Sequence, residues 1–346
     1  MIIQKYLSKQ VQKTSISIIV VLLSIVTSNQ YIMLLSKAVQ GKIIKEGIFD
    51  ILLLSMPTLI GILLPVALFL GIILVISRMY ADSEMVIFNS NGIGPLNILN
   101  FIKWPILVFS ILAAAVNLYL NPKVMYYKDV FKSKYQAIAK LNHLPVGEFL
   151  SFVNGKYVIY ISNKVNDDKE LENIFLVEES TDSLILSKKA GFKKGENNEK
   201  ILVLYDGVRY HSISDKNGLN IIEFKQHGFV LPKIQVSNSL DKKEKSTVQL
   251  FNSNDIEDKL ELQWRISFVL APIILAILAI PLSKVNPRQG KFTKIIPAIL
   301  IFITYYSLLA SSIDWVEAGY IPLVIGLWWV HILFIFAAII LWRKQS

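Results

Sequence analysis

Six long apolar blocks, near 15–35, 48–77, 100–120, 265–283, 292–312 and 321–342, set what this chain can become. Roughly 20 apolar residues in helical form cross the hydrocarbon of a bilayer. Inside lipid a lone segment must satisfy its backbone polar groups within itself, so each block predicts a helix. The second block is overlong and holds Pro57 and Pro65, which predicts a kink or an interfacial start. The first follows three lysines, as a secretory leader would. Its apolar run nevertheless outlasts a leader's and reaches Asn29 and Gln30 without a small-residue cleavage site, so a retained helix is expected.

The blocks divide as three, an intervening segment at 121–264, and three more. Net charge is +10, a value that in a soluble chain would suggest nucleic acid. Its location argues otherwise. Segments 1–14, 78–103, 284–294 and 343–346 hold 11 Lys/Arg against only Asp82 and Glu84, whereas 121–264 holds 21 Lys/Arg and 20 Asp/Glu. Basic residues concentrated at alternate helix ends follow the positive-inside rule. With the N-terminus inside, the insert faces outward and both termini and the loops at 78–99 and 284–291 face the cytoplasm. Lys37, Lys42 and Lys45 fall on the outer side, either as a wet loop or as contacts for the phosphates of an anionic lipid.

The insert opens with a predicted helix at 122–140. Short β-like runs follow: "GEFLSFV", "KYVIYIS", "NIFLVEE", "SLILSKKAGF", "KILVLYDGVRYHSI", "LNIIEF" and "GFVLP". Turn pairs punctuate them, at Asn154 and Gly155, 166–168, Asp206 and Gly207, and Asn217 and Gly218. Many short strands with tight turns predict an antiparallel sandwich or jelly roll. In "YVIYI" (Tyr157, Val158, Ile159, Tyr160 and Ile161) and "ILVLY" the apolar residues do not alternate. Two readings fit: strands closed inside a core, or a sheet whose inner face lines a groove for lipid. Residues 235–259 read as a polar linker back to the membrane.

Several chemistries lack their residues. There is no cysteine, hence no disulfide, thiol nucleophile or Cys-based metal site. No Gly-Lys pair is followed by Ser or Thr as a phosphate-binding loop requires, no H-E-x-x-H occurs among four scattered histidines, and no G-x-S-x-G appears. His331 lies within the sixth block, where an ionisable group is a functional candidate; a hydrogen bond to a neighbouring helix is the simpler reading. Asp314 and Glu317, between blocks five and six, read as solvated loop acids.

The stretch "RMYADSEMVIFNSNGIGP" at 78–95 is too polar to span and too apolar for an idle linker. Spaced as one helix, Tyr80, Ile87 and Phe88 share a face, with Glu84 between them. "AIPLSKVNPRQGKFTKIIPAIL" at 279–300 resembles the lipopolysaccharide export permeases, the LptF/LptG family, and its P-L-S-x-V-N-P-R-Q-G-K form is closer to LptF. "MIIQKYL", "LPVALFLGI", "YADSE" and "ELQWRI" resemble the same family, in order along nearly the whole chain.

The resemblance implies an α-helical membrane protein of six transmembrane helices (3+3) with an inserted periplasmic antiparallel β-jellyroll. The domains would be 1–120 with a cytoplasmic coupling helix at 78–91, 121–264, and 265–346. It implies a non-catalytic subunit in the bacterial inner membrane, without a cofactor of its own, since ATP belongs to a partner. The implied partners are an LptG-like permease, a pair of LptB-like ATPases, an LptC-like or LptA-like jellyroll, and lipopolysaccharide. Arg78, Tyr80, Asp82 and Glu84 would meet the ATPase, with Glu84 as the acidic contact. Related subunits often carry basic residues in the outer half of the first span; here Gln30 and Met33 stand there. The competing classes are a membrane sensor, which would need a cytoplasmic signalling module beyond 343–346, and a membrane enzyme, which would need convergent catalytic groups in the spans.

Overall fold

The computed structural model describes residues 2–40, 42–142, 146–152, 157–165, 170–179, 182–194, 200–213, 218–230, 241–286, 290 and 292–344. The turn pair Asn154 and Gly155, residues 166–168, Asn217, and 287–289 and 291 of the quoted motif lie outside them. The chain forms two compact units: one of Met1–Leu35, Ile48–Phe131 and Ser239–Ser346, the other of Ser36–Gly47 and Lys132–Asn238.

The first unit is helical. Its elements are α1 (Ile2–Val39), α2 (Gly47–Ala81), α3 (Glu84–Ser90), α4 (Pro95–Phe101), α5 (Lys103–Ala114), a π-helical turn Ala115–Leu120, and α6 (Asn121–Asn142), whose later residues pass into the second unit. After the insert come α7 (Thr247–Asn252), α8 (Ile256–Leu282), α9 (Ile295–Glu317) and α10 (Trp328–Arg343). Five of these stretches are long and apolar enough to cross a membrane: α1, α2, Lys103–Ser133, α8 and α9. Pro57 and Pro65 lie within α2 without ending it.

The blocks are redrawn in places. The third starts after a break at Ile102 and runs without interruption into the helix expected at 122–140. The fifth continues to Glu317, so Asp314 and Glu317 are helical rather than loop residues. The sixth contains only the 16-residue α10, because 321–327 folds as turns. Gln263 of α8 holds those turns: its Nε2 donates to the Leu323 carbonyl at 2.9 Å and its Oε1 accepts from the Leu327 amide at 3.0 Å. The expected linker at 235–259 is also ordered in part. Ser246 and Gln249 form a reciprocal capping box at the start of α7, and α8 is already helical from Ile256.

Of the long helices α2 is the most enclosed and α1 the least. Phe69, Ile72, Ile73, Ile76 and Met79 of α2 are fully buried in the core, together with Leu275, Ala276 and Ala279 of α8. Gly71 lets α1 come close: a Cβ there would meet the Ser15 side chain.

The second unit carries β1 (Phe149–Phe152), β2 (Tyr157–Val165), β3 (Glu170–Glu178), β4 (Ser183–Lys194), β5 (Lys200–Ile213) and β6 (Gly218–Val230). The six strands pair antiparallel in consecutive order in one sheet. Among the described strands this is a meander. The run "LNIIEF" and the described part of "GFVLP", residues 228–230, expected as separate strands, are one strand, β6, and 231–232 lie outside the described residues.

Asp206 and Gly207 do not form the expected hairpin turn. They lie inside β5, and pairing with β4 and β6 continues on both sides. Asp206 has φ 50°, as does Asn173 of β3. The registers put Asn173 level with Lys188 and Asp206 across the sheet. At that level the buried face changes parity, so Leu171 joins Ile174 and Leu176 in one core. Gly207 has no room for a Cβ, which would strike the Leu186 carbonyl and the Phe224 ring.

Candidate functional site

The single helix expected through 78–91 is interrupted. Helix α2 ends at Ala81, and Ser83, with φ 60°, turns the chain before α3 begins at Glu84. A non-glycine residue in the left-handed region breaks the helical spacing, so Tyr80 and Ile87 do not share a helical face. Tyr80 is part-buried at the end of α2. In α3, Met85 is buried and Phe88 packs on the helical core, while Val86 and Ile87 are each 62% exposed. Arg78 is tied down locally, with its Nε 4.0 Å from the Asp82 carboxylate and its Nη2 donating to the Tyr6 hydroxyl of α1 at 3.3 Å. Among the described residues, no hydrogen bond or ion pair engages the Glu84 carboxylate. The result is a short, well-seated helix that presents one free acid beside two exposed aliphatic side chains.

Lys37 lies in the last turn of α1 and Lys42 and Lys45 on the connection to α2, and the Lys42 amide donates to the Lys37 carbonyl at 2.9 Å. All three side chains are exposed. Gln30 and Met33 lie on α1, Met33 half exposed.

The four residues expected along an acyl-chain path divide between the sheet's two faces. Ile159 is 3% exposed in the closed core, and Tyr157 packs against that core. Val158 and Tyr160 alternate to the other face. There Tyr160 borders an open concavity of about 600 Å³ with Phe149, Phe175, Leu186 and Val208, and with Asn173, Lys188 and Asp206 at the level of the bend. The Phe149 ring lies tilted at 4.9 Å from Tyr160 and edge-on at 6.1 Å from Phe175. Both readings of the non-alternating strands thus find a surface: a closed core on one side and an apolar hollow on the other.

A comparison with protein families matches residues 5–344 to the family described as "Lipopolysaccharide export system permease LptF/LptG". The chain belongs to that family. Among curated proteins it is 25% identical over 350 residues to the lipopolysaccharide export system permease protein LptF of Escherichia coli K12, covering 99% of this chain and 94% of that one. The protein of the same name from Shigella flexneri matches to the same extent. The permease is therefore a transport subunit with membrane-crossing helices and an inserted β domain.

His331 of the permease engages two neighbouring helices. Its Nε2 lies 3.0 Å from Ser267 Oγ on α8, and its Nδ1 lies 2.9 Å from the Tyr305 hydroxyl on α9. Ser267 Oγ already donates to the Gln263 carbonyl at 2.8 Å, so it accepts from Nε2–H, and Nδ1 accepts from Tyr305. Glu317 meets Lys242 Nζ at 3.1 Å rather than solvent alone.

Sequence reasoning missed Arg265, although the quoted "ELQWRI" contains it. The available signal was Glu261 four residues before an arginine at the head of an apolar run, a spacing that pairs two charges on one helix face. In the structure the two groups are 2.8 Å apart, Arg265 buried and Glu261 part-buried.

Proposed function

We propose that this permease extracts lipopolysaccharide from the inner membrane as the non-catalytic subunit of an ABC-type complex, coupled through α3 to a separate ATPase. The free Glu84 carboxylate, flanked by exposed Val86 and Ile87 on a helix anchored by Met85, carries this reading. An acid paired on assembly with a basic group contributes on the order of 1.5–3 kcal/mol, and two aliphatic side chains seal the contact from water. ATP-driven closure of the ATPase pair would then move α3, and with it the core helices that Met85 and Phe88 contact, squeezing the lipid cavity between this permease and an LptG-like second one. Glu84→Ala is expected to weaken ATPase association and slow export from proteoliposomes with the fold intact, and the purified subunit alone is expected to hydrolyse no ATP. Normal export with the ATPase still bound would make Glu84 an ordinary surface acid.

In this reading both termini and α3 are cytoplasmic and the sheet is periplasmic. Single cysteines introduced at Asp82 and Gly218 of the cysteine-free chain would report it. Labelling at Gly218 only after the inner membrane is permeabilised would overturn the orientation. The sheet passes acyl chains along its open hollow and takes on a strand from an LptC-like or LptA-like jellyroll at an edge. Among the described strands β6, 13 residues long and paired on one side only to β5, offers the longer edge. A photo-crosslinker at Tyr160 should capture lipid during transport and one at Ile159 should not. Capture at Ile159 alone would show that the core, not the hollow, opens for the lipid.

A further inference from the structure

Just before α7, residues 241–246 wrap around one side chain. The Arg265 guanidinium, 4% exposed, has five N–H donors, and all five are used. Nε donates to Glu261 at 2.8 Å. Nη1 donates to the Lys245 carbonyl at 3.0 Å and to Thr247 Oγ1 at 3.4 Å. Nη2 donates to the carbonyls of Lys243 at 3.1 Å and Lys242 at 3.3 Å. Because Thr247 Oγ1 accepts from Arg265, its own hydrogen goes to the Leu118 carbonyl. Leu118 lies in the π-helical turn, and Pro122, four residues on, has no N–H to offer its carbonyl, which is left for an outside donor. The contact joins residues 129 apart in sequence. The same segment is steadied by Lys245 on Asp258 at 2.7 Å and by the fully buried Leu250.

A guanidinium consumed in this way has no N–H left for a lipid phosphate, so a headgroup contact does not account for it. Its partners are backbone carbonyls of the chain returning from the insert, together with the carboxylate that balances its charge. We propose that Arg265 is a positioning residue for export. It locks residues 241–252 to α8 and, through Thr247, to the π-helical turn, so that these three segments move as one piece when the helices move. The proposal rests on the transporter reading only for its export readout; its local readout is independent of it.

The test uses the assembled complex in proteoliposomes with three variants: Arg265→Gln, Arg265→Lys, and Arg265→Gln carrying Leu118→Cys and Thr247→Cys joined by a disulfide. Arg265→Gln is expected to raise amide hydrogen exchange across 242–252 by about tenfold or more. It should also lower the lipid released per ATP hydrolysed several-fold while ATP turnover is maintained. Arg265→Lys should behave like Arg265→Gln, because a point charge cannot hold three carbonyls and a carboxylate in a fixed fork. The disulfide should restore slow exchange and coupling together. Recovery by lysine, or a disulfide that restores slow exchange but not export, overturns the proposal. So does faster exchange with undiminished export, an outcome that leaves the transporter reading standing. If Arg265→Gln does not fold, Thr247→Val removes the link to the π-helical turn more gently, and unchanged exchange and unchanged export per ATP in that variant overturn the proposal equally.

Discussion

Replacing His331 by leucine tests how the last three helices are held. The wild-type chain of bonds is directional: Tyr305 donates to His331, His331 to Ser267, and Ser267 to the Gln263 carbonyl. It links α9, α10 and α8, and Tyr305, His331 and Ser267 are each no more than 4% exposed. Side-chain hydrogen bonds between membrane helices are worth about 0.6 kcal/mol on average and up to about 1.7. His331→Leu removes two and leaves the buried Tyr305 hydroxyl without its acceptor, so a loss of about 1–3 kcal/mol is expected. Tyr305→Phe removes one bond and keeps the edge-on packing of its ring on Phe334, 4.8 Å away, so it should cost roughly 0.6–1.7 kcal/mol. In a double-mutant cycle the Tyr305→Phe cost should nearly vanish once His331 is leucine. Reversible unfolding of the purified permease in mixed micelles, followed by tryptophan fluorescence, measures all four corners. An equal Tyr305→Phe cost in both backgrounds would show that the two side chains do not interact, and the directional chain would be refuted.

Gly71→Val should force α1 away from α2, because its side chain would occupy the place of Ser15; a loss of about 1–3 kcal/mol is expected in the same unfolding assay. Ser15→Ala removes a buried hydroxyl without a hydrogen-bond partner among the described residues, so it should be neutral or stabilising and should ease Gly71→Ala. Burial first, and the neighbouring Asp129 second, push the Glu244 carboxyl from 4.5 up to about 6. The folded state then favours the protonated acid, so its contribution to stability is complete below pH 4.5 and is lost as pH rises through 6. Glu244→Gln should flatten that part of the stability profile, and an unchanged profile would exclude Glu244 as its source. Gly207→Val should disrupt the sheet by striking the Leu186 carbonyl and the Phe224 ring, whereas Gly228→Ala, where the nearest contact is Ile201 at 3.6 Å, should be accommodated; circular dichroism of the β signal on heating compares them.

The candidate site was legible in uneven parts. Glu84 stood out as an acid in an apolar setting, and the structure leaves its carboxylate unengaged among the described residues. The continuous helix drawn through it was wrong because one residue, Ser83 at φ 60°, breaks the spacing. Serine carries no strong local signal for that conformation. Val158 and Tyr160 were separated correctly from Tyr157 and Ile159 by strand alternation. Which face was closed could not be read locally, since it depends on partners such as Leu202 and Leu204, more than 40 residues further along the chain.

The residue pattern alone determined that five of the apolar blocks become helices long and apolar enough to cross a membrane, that an antiparallel sheet interrupts the helices, and that charge gathers at one set of helix ends. These outcomes depend on the partition of each segment between lipid and water, which a segment carries in its own residues. Tertiary structure alone decided that 321–327 folds as turns held by Gln263, that the polar stretch before α8 wraps around Arg265, and that Asp206 and Gly207 bend a strand instead of ending it. In each case the deciding partner is remote: Leu323 lies 60 residues from Gln263, and Leu118 lies 129 from Thr247. A buried polar group takes the geometry that pairs it, and the position of its partner exists only once the chain has folded.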